Sequence, residues 1–185
     1  LVNNGLVAWC DIRIDCPTVK LQVNVTKNID QPFNGAIVTV QEFLGAPYYE
    51  SAADQNGIVT FTPVFGEYRI QVLDSNRVLL NETSIDLFED QNTTVSCQLY
   101  GLIVSVQVVD YFGQGISNVN VKLQGEKQSL IMRTTQGDGI ATFENIIGGN
   151  LQITLHMNGE SNLVEAQNLP VLNSTTVQIK LAKYV

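Results

Sequence analysis

A single offset ties one half of this chain to the other. Asn56-Gly57-Ile58-Val59-Thr60-Phe61 returns as Asp138-Gly139-Ile140-Ala141-Thr142-Phe143, and Thr93-Thr94-Val95-Ser96-Cys97-Gln98-Leu99 returns as Thr175-Thr176-Val177-Gln178-Ile179-Lys180-Leu181. Both pairs lie 82 positions apart. Solenoid repeats run about 20 to 50 residues, so a longer, constant offset marks the duplication of a whole folding unit. A length of 185 residues then accommodates two small domains. Residues 17–100 and 101–185 are the expected units, with residues 1–16 as an N-terminal extension that has no duplicate.

Inside each unit the hydrophobic period is two, the mark of half-buried strands. Val19, Leu21, Val23 and Val25 alternate with Lys20, Gln22 and Asn24, and Tyr68, Ile70 and Val72 alternate with Glu67, Arg69 and Gln71. The second unit repeats the pattern with Leu102, Val104, Val106 and Val108, then with Val119, Val121 and Leu123. No stretch has a helical period. Asn56-Gly57 and Asp138-Gly139 read as hairpin turns, because both residue types tolerate the positive φ that antiparallel strand twist requires. About seven short strands per unit imply an all-β chain of two tandem immunoglobulin-like β-sandwiches, preceded by an extended N-terminal strand.

Charged residues make up only 15% of the chain, against roughly 25% in a typical soluble protein, and the net charge is −8. Positive charge supplies most nucleic-acid affinity, so nucleic acid is not an expected partner. No apolar run reaches the roughly 18 residues of a membrane-spanning helix, so no integral membrane segment is expected. The first residue is Leu1, not Met, which fits removal of a secretory leader.

Val23-Asn24-Val25-Thr26-Lys27, Gly35-Ala36-Ile37-Val38-Thr39-Val40, the Asn-Gly-x-x-x-Phe turn and Gly66-Glu67-Tyr68-Arg69-Ile70 together resemble prealbumin-like modules. These are the pilin collagen-adhesin B-type repeats and the carboxypeptidase regulatory-like repeats. The likeness spans residues 18–185 and bears on fold more than on function. In such pilin repeats it implies an intramolecular Lys–Asn crosslink, with Lys27 in the reactive position. The strand end that should hold the partner reads Cys97-Gln98-Leu99-Tyr100-Gly101, and the second unit has Val108-Val109-Asp110 in place of the lysine. Lys27 is therefore read as a strand-end surface lysine.

Acid–base and nucleophilic catalysis need a base beside a nucleophile, and His156 is the only histidine. It reads as an ordinary strand histidine, and with three scattered cysteines it makes no zinc site of usual spacing. Asp54-x-Asn56-Gly57 lacks the further oxygen ligands of a calcium loop and reads as a turn. No enzyme activity and no cofactor are expected.

Four Asn-x-Ser/Thr sequons stand at Asn24, Asn81, Asn92 and Asn173, so N-linked glycans are expected partners. Asn24 falls on the polar side of its strand, and Asn92 and Asn173 fall in turns before the final strands. Cys10, Cys16 and Cys97 form an odd set, allowing one intrachain disulfide at most. Cys97 shares a face with Val95 and Leu99, which indicates the core. Alternating strands would place Cys97 far from Cys16, so Cys10 with Cys16 is the expected pair.

Leu6, Ala8, Cys10, Ile12 and Ile14 alternate with Val7, Trp9, Asp11, Arg13 and Asp15, a strand pattern belonging to neither repeat. Such a strand either folds back on its own domain or adds to a neighbouring subunit. An apolar N-terminal strand, prealbumin-like domains, sequons and few charges together resemble subunits of archaeal thread-type surface filaments, which pass an N-terminal strand to the next subunit. The resemblance implies a secreted subunit that polymerises head to tail with identical copies. The rival reading is an extracellular adhesin that uses Phe43, Tyr48 and Tyr49, in an aromatic-rich loop, as a binding platform. An accessory domain of a larger enzyme is the third.

Overall fold

The computed structural model describes residues 16–157 and 163–181. These residues form strands and turns with no helix among them. The buried apolar side chains gather into two cores, one drawn from Val19 to Cys97 and one from Leu102 to Leu181. Burying each Val, Leu, Ile or Phe contributes roughly 1.5–3 kcal/mol, so the period-two pattern is what drives each sandwich to close.

In the first sandwich, β1 (Leu21–Lys27), β2 (Gln31–Pro32), β5 (Ile58–Phe61) and β8 (Gln91–Cys97) form one sheet with β1 at its centre. The facing sheet has the order β4 (Tyr48–Ala52), β3 (Ile37–Glu42), β6 (Gly66–Leu73), β7 (Leu79–Leu87). In the second sandwich, β9 (Leu102–Val109) lies between β12 (Ile140–Ile146) and β15 (Thr175–Lys180). It faces a sheet ordered β11 (Ile131–Thr134), β10 (Val119–Gly125), β13 (Gly149–Met157), β14 (Leu163–Val171). The duplication is therefore strand for strand, with β2 as the one addition. Its place in the second sandwich is marked by a single bridge, Val109 to Gly115.

The alternating residues lie where the period puts them. Leu21, Val23 and Val25 are buried while Gln22 and Asn24 face outward, and Val104, Val106 and Val108 repeat this in the second core. The turn expectation at Asn56-Gly57 and Asp138-Gly139 needs correction. β4 pairs with β3 and β5 with β1, so Asn56-Gly57 carries the chain from one sheet to the other instead of closing a hairpin. Asp138-Gly139 does the same between β11 and β12. In each turn only the glycine has positive φ, 74° at Gly57 and 76° at Gly139. Each glycine's carbonyl accepts a bond from the neighbouring strand of the sheet the chain is entering, from Val25 N–H at 2.7 Å and from Val108 N–H at 2.8 Å.

Candidate assembly and modification surfaces

The chain enters each sandwich by the same backbone hook. Phe65 N–H donates to Pro17 O at 3.3 Å, and Gly148 N–H donates to Leu99 O at 2.7 Å. One step on, Lys20 N–H donates to an Asp90 carboxylate oxygen at 2.8 Å, and Ile103 N–H to Ser174 Oγ at 2.9 Å. Leu6, Ala8, Cys10, Ile12 and Ile14 lie outside the described residues. Cys16 and Pro17 lie beside the end of the first sandwich where Phe43, Leu44, Phe65 and Phe88 are exposed.

Cys16 is an exposed free thiol, and Cys10, its expected partner, lies outside the described residues. Cys97 is a buried free thiol packed in the first core, as its face with Val95 indicates. Desolvation pushes its pKa up to about 11, a rise that nearby Lys127 partly opposes. Leu99 does not share that face. The strand ends at Cys97, where Tyr100 N–H donates back to Cys97 O, and Leu99 stays exposed. Because β1 and β8 run parallel, Cys97 pairs with Lys27 at the far end of β1 from Cys16.

The four sequon asparagines differ in access. Asn92 and Asn173 are exposed, Asn173 in the bend before β15 and Asn92 as the second residue of β8 itself, not in a turn. Asn24 sits half-buried mid-strand on the outer face of β1, its Oδ1 accepting from Gln22 Nε2 at 3.2 Å. Asn81 is committed elsewhere. Its Nδ2, the atom a glycan would take, donates to Ser96 O at 2.7 Å and ties β7 to β8.

Lys27 is half-buried, not a free surface lysine. Its Nζ lies 5.4 Å from the centroid of the Phe33 ring, and that ring stacks on Tyr100 at 4.6 Å. Tyr100 leads into the second sandwich, so the three side chains form part of the junction. A cavity of about 410 Å3 opens beside it, lined by Asn81, Cys97, Leu99, Tyr100, Lys127 and Gly148 among others. Sequence reasoning missed this junction, since its residues meet only once both sandwiches are folded.

The aromatic platform of Phe43, Tyr48 and Tyr49 is split by strand geometry. Tyr48 and Tyr49 are in edge strand β4, where alternation sends Tyr48 outward and packs Tyr49 on the first core, tilted against Phe61. Tyr48 Oη donates to Glu50 at 2.6 Å, and Arg77 Nη2 donates to the other Glu50 oxygen at 2.6 Å. The Arg77 bond, then the Tyr48 bond, holds the Glu50 carboxyl below its usual range, and the bond to Glu50 raises the Tyr48 phenol.

His156 alternates with buried Leu155 and pairs with Asn120 of β10, which makes it a strand residue. The Asp54 carboxylate accepts the N–H groups of Asn56 and Ile58 at 2.8 and 2.9 Å, which makes it a turn residue. Among the described residues, no group of three or more His, Cys, Asp or Glu side chains could hold a metal ion. Among the same residues no helix is long and apolar enough to cross a membrane.

No protein-family model matches the chain, and neither does any curated protein. Solved structures do. The chain is similar to a minor pilin of the Gram-positive pathogen Streptococcus agalactiae, with a TM-score of 0.58 and 13% identity, over 90% of this chain and 97% of that one. It is also similar to a candidate adhesin of Bacteroides ovatus, with a TM-score of 0.52 and 9% identity, over 82% of this chain and 78% of that one. The likeness is one of fold. At such identities it supports the immunoglobulin-like sandwich assignment and assigns no residue a role.

Proposed function

We propose that this chain is an extracellular structural subunit of a cell-surface filament, of the archaeal thread type, and not an enzyme. Residues 17–100 and 101–185 are its two scaffold domains, and residues 1–16 carry the strand that inserts into a neighbouring identical subunit. Leu6, Ala8, Cys10, Ile12 and Ile14 are the inserting face. Backbone bonding to an exposed sheet edge gives such a strand its affinity, and alternate side chains give it register. A head-to-tail contact of this kind does not close on itself, so it propagates as a filament. N-linked glycans on the exposed sequons Asn92 and Asn173 shield the polar surface of the polymer.

The observation that carries the proposal is the similarity to a minor pilin along nearly the whole of both chains. Deletion of residues 1–14 tests it. The truncated chain should stay folded and monomeric, and electron microscopy should show filaments only from the full chain. Undiminished polymerisation of the truncation would refute the proposal.

A second reading, an adhesin, is favoured by the exposure of Phe43, Leu44 and Tyr48 at one end of the first sandwich. Tyr49 takes no part in it. On this reading the chain binds immobilised glycans or proteins, and a Phe43→Ala, Tyr48→Ala chain loses that binding without losing its fold. Unchanged binding by that chain would exclude the platform.

A further inference from the structure

In each sandwich the first and last long strands are parallel neighbours. β1 and β8 pair through seven consecutive positions, from Leu21 with Gln91 to Lys27 with Cys97. β9 and β15 pair through six, from Val104 with Thr175 to Val109 with Lys180. The chain enters each sandwich at the start of one of these strands and leaves it at the end of the other. We propose that the two ladders are shear clamps in series, giving the chain a load-bearing function under tension between its N- and C-terminal ends. This goes beyond the filament reading and does not depend on polymerisation.

The geometry follows from strand direction. Tension draws the start of β1 one way and the end of β8 the other, along their shared axis. Every backbone hydrogen bond of the ladder then carries load together, whereas strands pulled apart from one end break pair by pair. Sliding also displaces core side chains. A shift of one residue would turn Val23, Val25, Val95 and Cys97 outward, so the ladder and the core must fail as one event. The Asp90 and Ser174 side chains anchor the residue before β1 and the second residue of β9, adding a bond near the entry of each ladder. Leu181 N–H, bonded to Val109 O at 2.8 Å, adds one at the exit of the second.

Single-molecule force spectroscopy on the full chain tests the clamps. Pulled through its termini, each molecule should give two unfolding events, each releasing about 25 nm at roughly 3.4 Å per residue. The comparison chain carries cysteine handles at exposed Thr18 and Glu89, with Cys10 and Cys16 changed to serine. Force then enters at the start of β1 and leaves at the end of β7, at one end of the sandwich, and draws β1 from β8 pair by pair. The first sandwich should open at a force at least about twofold lower in this geometry, because one pair at a time bears the load. A urea midpoint equal to that of the parent shows that the handles left stability unchanged. Equal rupture forces in the two geometries, at equal stability, would overturn the proposal.

Discussion

Replacing Gly57 with alanine measures the turn that joins the two sheets of the first sandwich, and Gly35 supplies its control. Both glycines have nearly the same φ, 74° and 75°. They differ in what a methyl group would meet. At Gly35 there is nothing within 4 Å, whereas at Gly57 the methyl would collide with Val25 O and lie 2.9 Å from Phe33 N. Gly35→Ala therefore carries the left-handed backbone term alone, roughly 1–2 kcal/mol. Gly57→Ala carries the same term and must also push apart the strand that Gly57 O holds at Val25 and the chain that Val25 O holds at Phe33. Losing those two bonds adds about 1–3 kcal/mol each when the groups stay buried, so the expected total is about 3–8 kcal/mol. Urea unfolding followed by circular dichroism gives the stabilities. Hydrogen exchange then locates the loss in β1, with β9 unaffected, and Gly139→Ala should reverse the two. If Gly57→Ala fell within about 1 kcal/mol of Gly35→Ala, the steric argument would be wrong.

Two other predictions concern modification. Glycopeptide mapping of secreted protein should find sugar at Asn92 and Asn173 and none at Asn81, whose Nδ2 is bonded to Ser96 O; a glycan on Asn81 in folded protein would contradict the assigned bond. At pH 8 an alkylating reagent should label Cys16 and leave Cys97 unmodified until the chain unfolds, because the Cys97 thiol is buried with its pKa pushed up to about 11. The sign of the linked stability follows from the same shift. The folded state holds the Cys97 proton more tightly than the unfolded state, whose thiol titrates near its ordinary value of 9.0. The Cys97 contribution is full below that value and falls as the pH rises towards about 11, so Cys97→Ala should make the slope shallower, with the remainder coming from the Tyr68 and Tyr100 phenols that burial also raises.

The two cores were legible because alternation is a local property: Val19 to Val25 and Leu102 to Val108 are inward where the period says so. Residues at the edges of that pattern were less so. Leu99 continues the alternation of Val95 and Cys97 on paper, yet the strand has already ended in a turn, and only backbone hydrogen bonding reveals it. Asn56-Gly57 signals a turn by its φ preference, but the destination of the next strand depends on which sheet has a free edge. One tight turn that does close a hairpin, Asp74 to Val78 between β6 and β7, contains no glycine at all. Its signal is the Asp74 carboxylate, which accepts the N–H groups of Asn76 and Val78. Asp54 and Asp110 do the same for residues two and four ahead, so the pattern was present in the sequence three times. The junction of Lys27, Phe33 and Tyr100 joins residues far apart in the chain, and no local period marks it.

The duplicated frame gives the extension a specific test. What precedes the hook at Leu99 and Gly148 is β8, a strand with alternate residues buried. What precedes the matching hook at Pro17 and Phe65 is the stretch from Leu6 to Asp15, whose alternation has the same period but no core of its own within the repeat. On the filament reading, its apolar set fills a neighbouring subunit, and its polar set faces water. Ile12→Asp with Ile14→Asp places two carboxylates in that apolar contact, and an unpaired buried charge outweighs the apolar area it replaces. The expected result is folded monomer by light scattering and no filaments by electron microscopy. Arg13→Ser, on the opposite side of the same strand, should leave assembly intact. Filaments from the double aspartate chain, or their loss from Arg13→Ser alone, would show that the alternation does not define the inserting face.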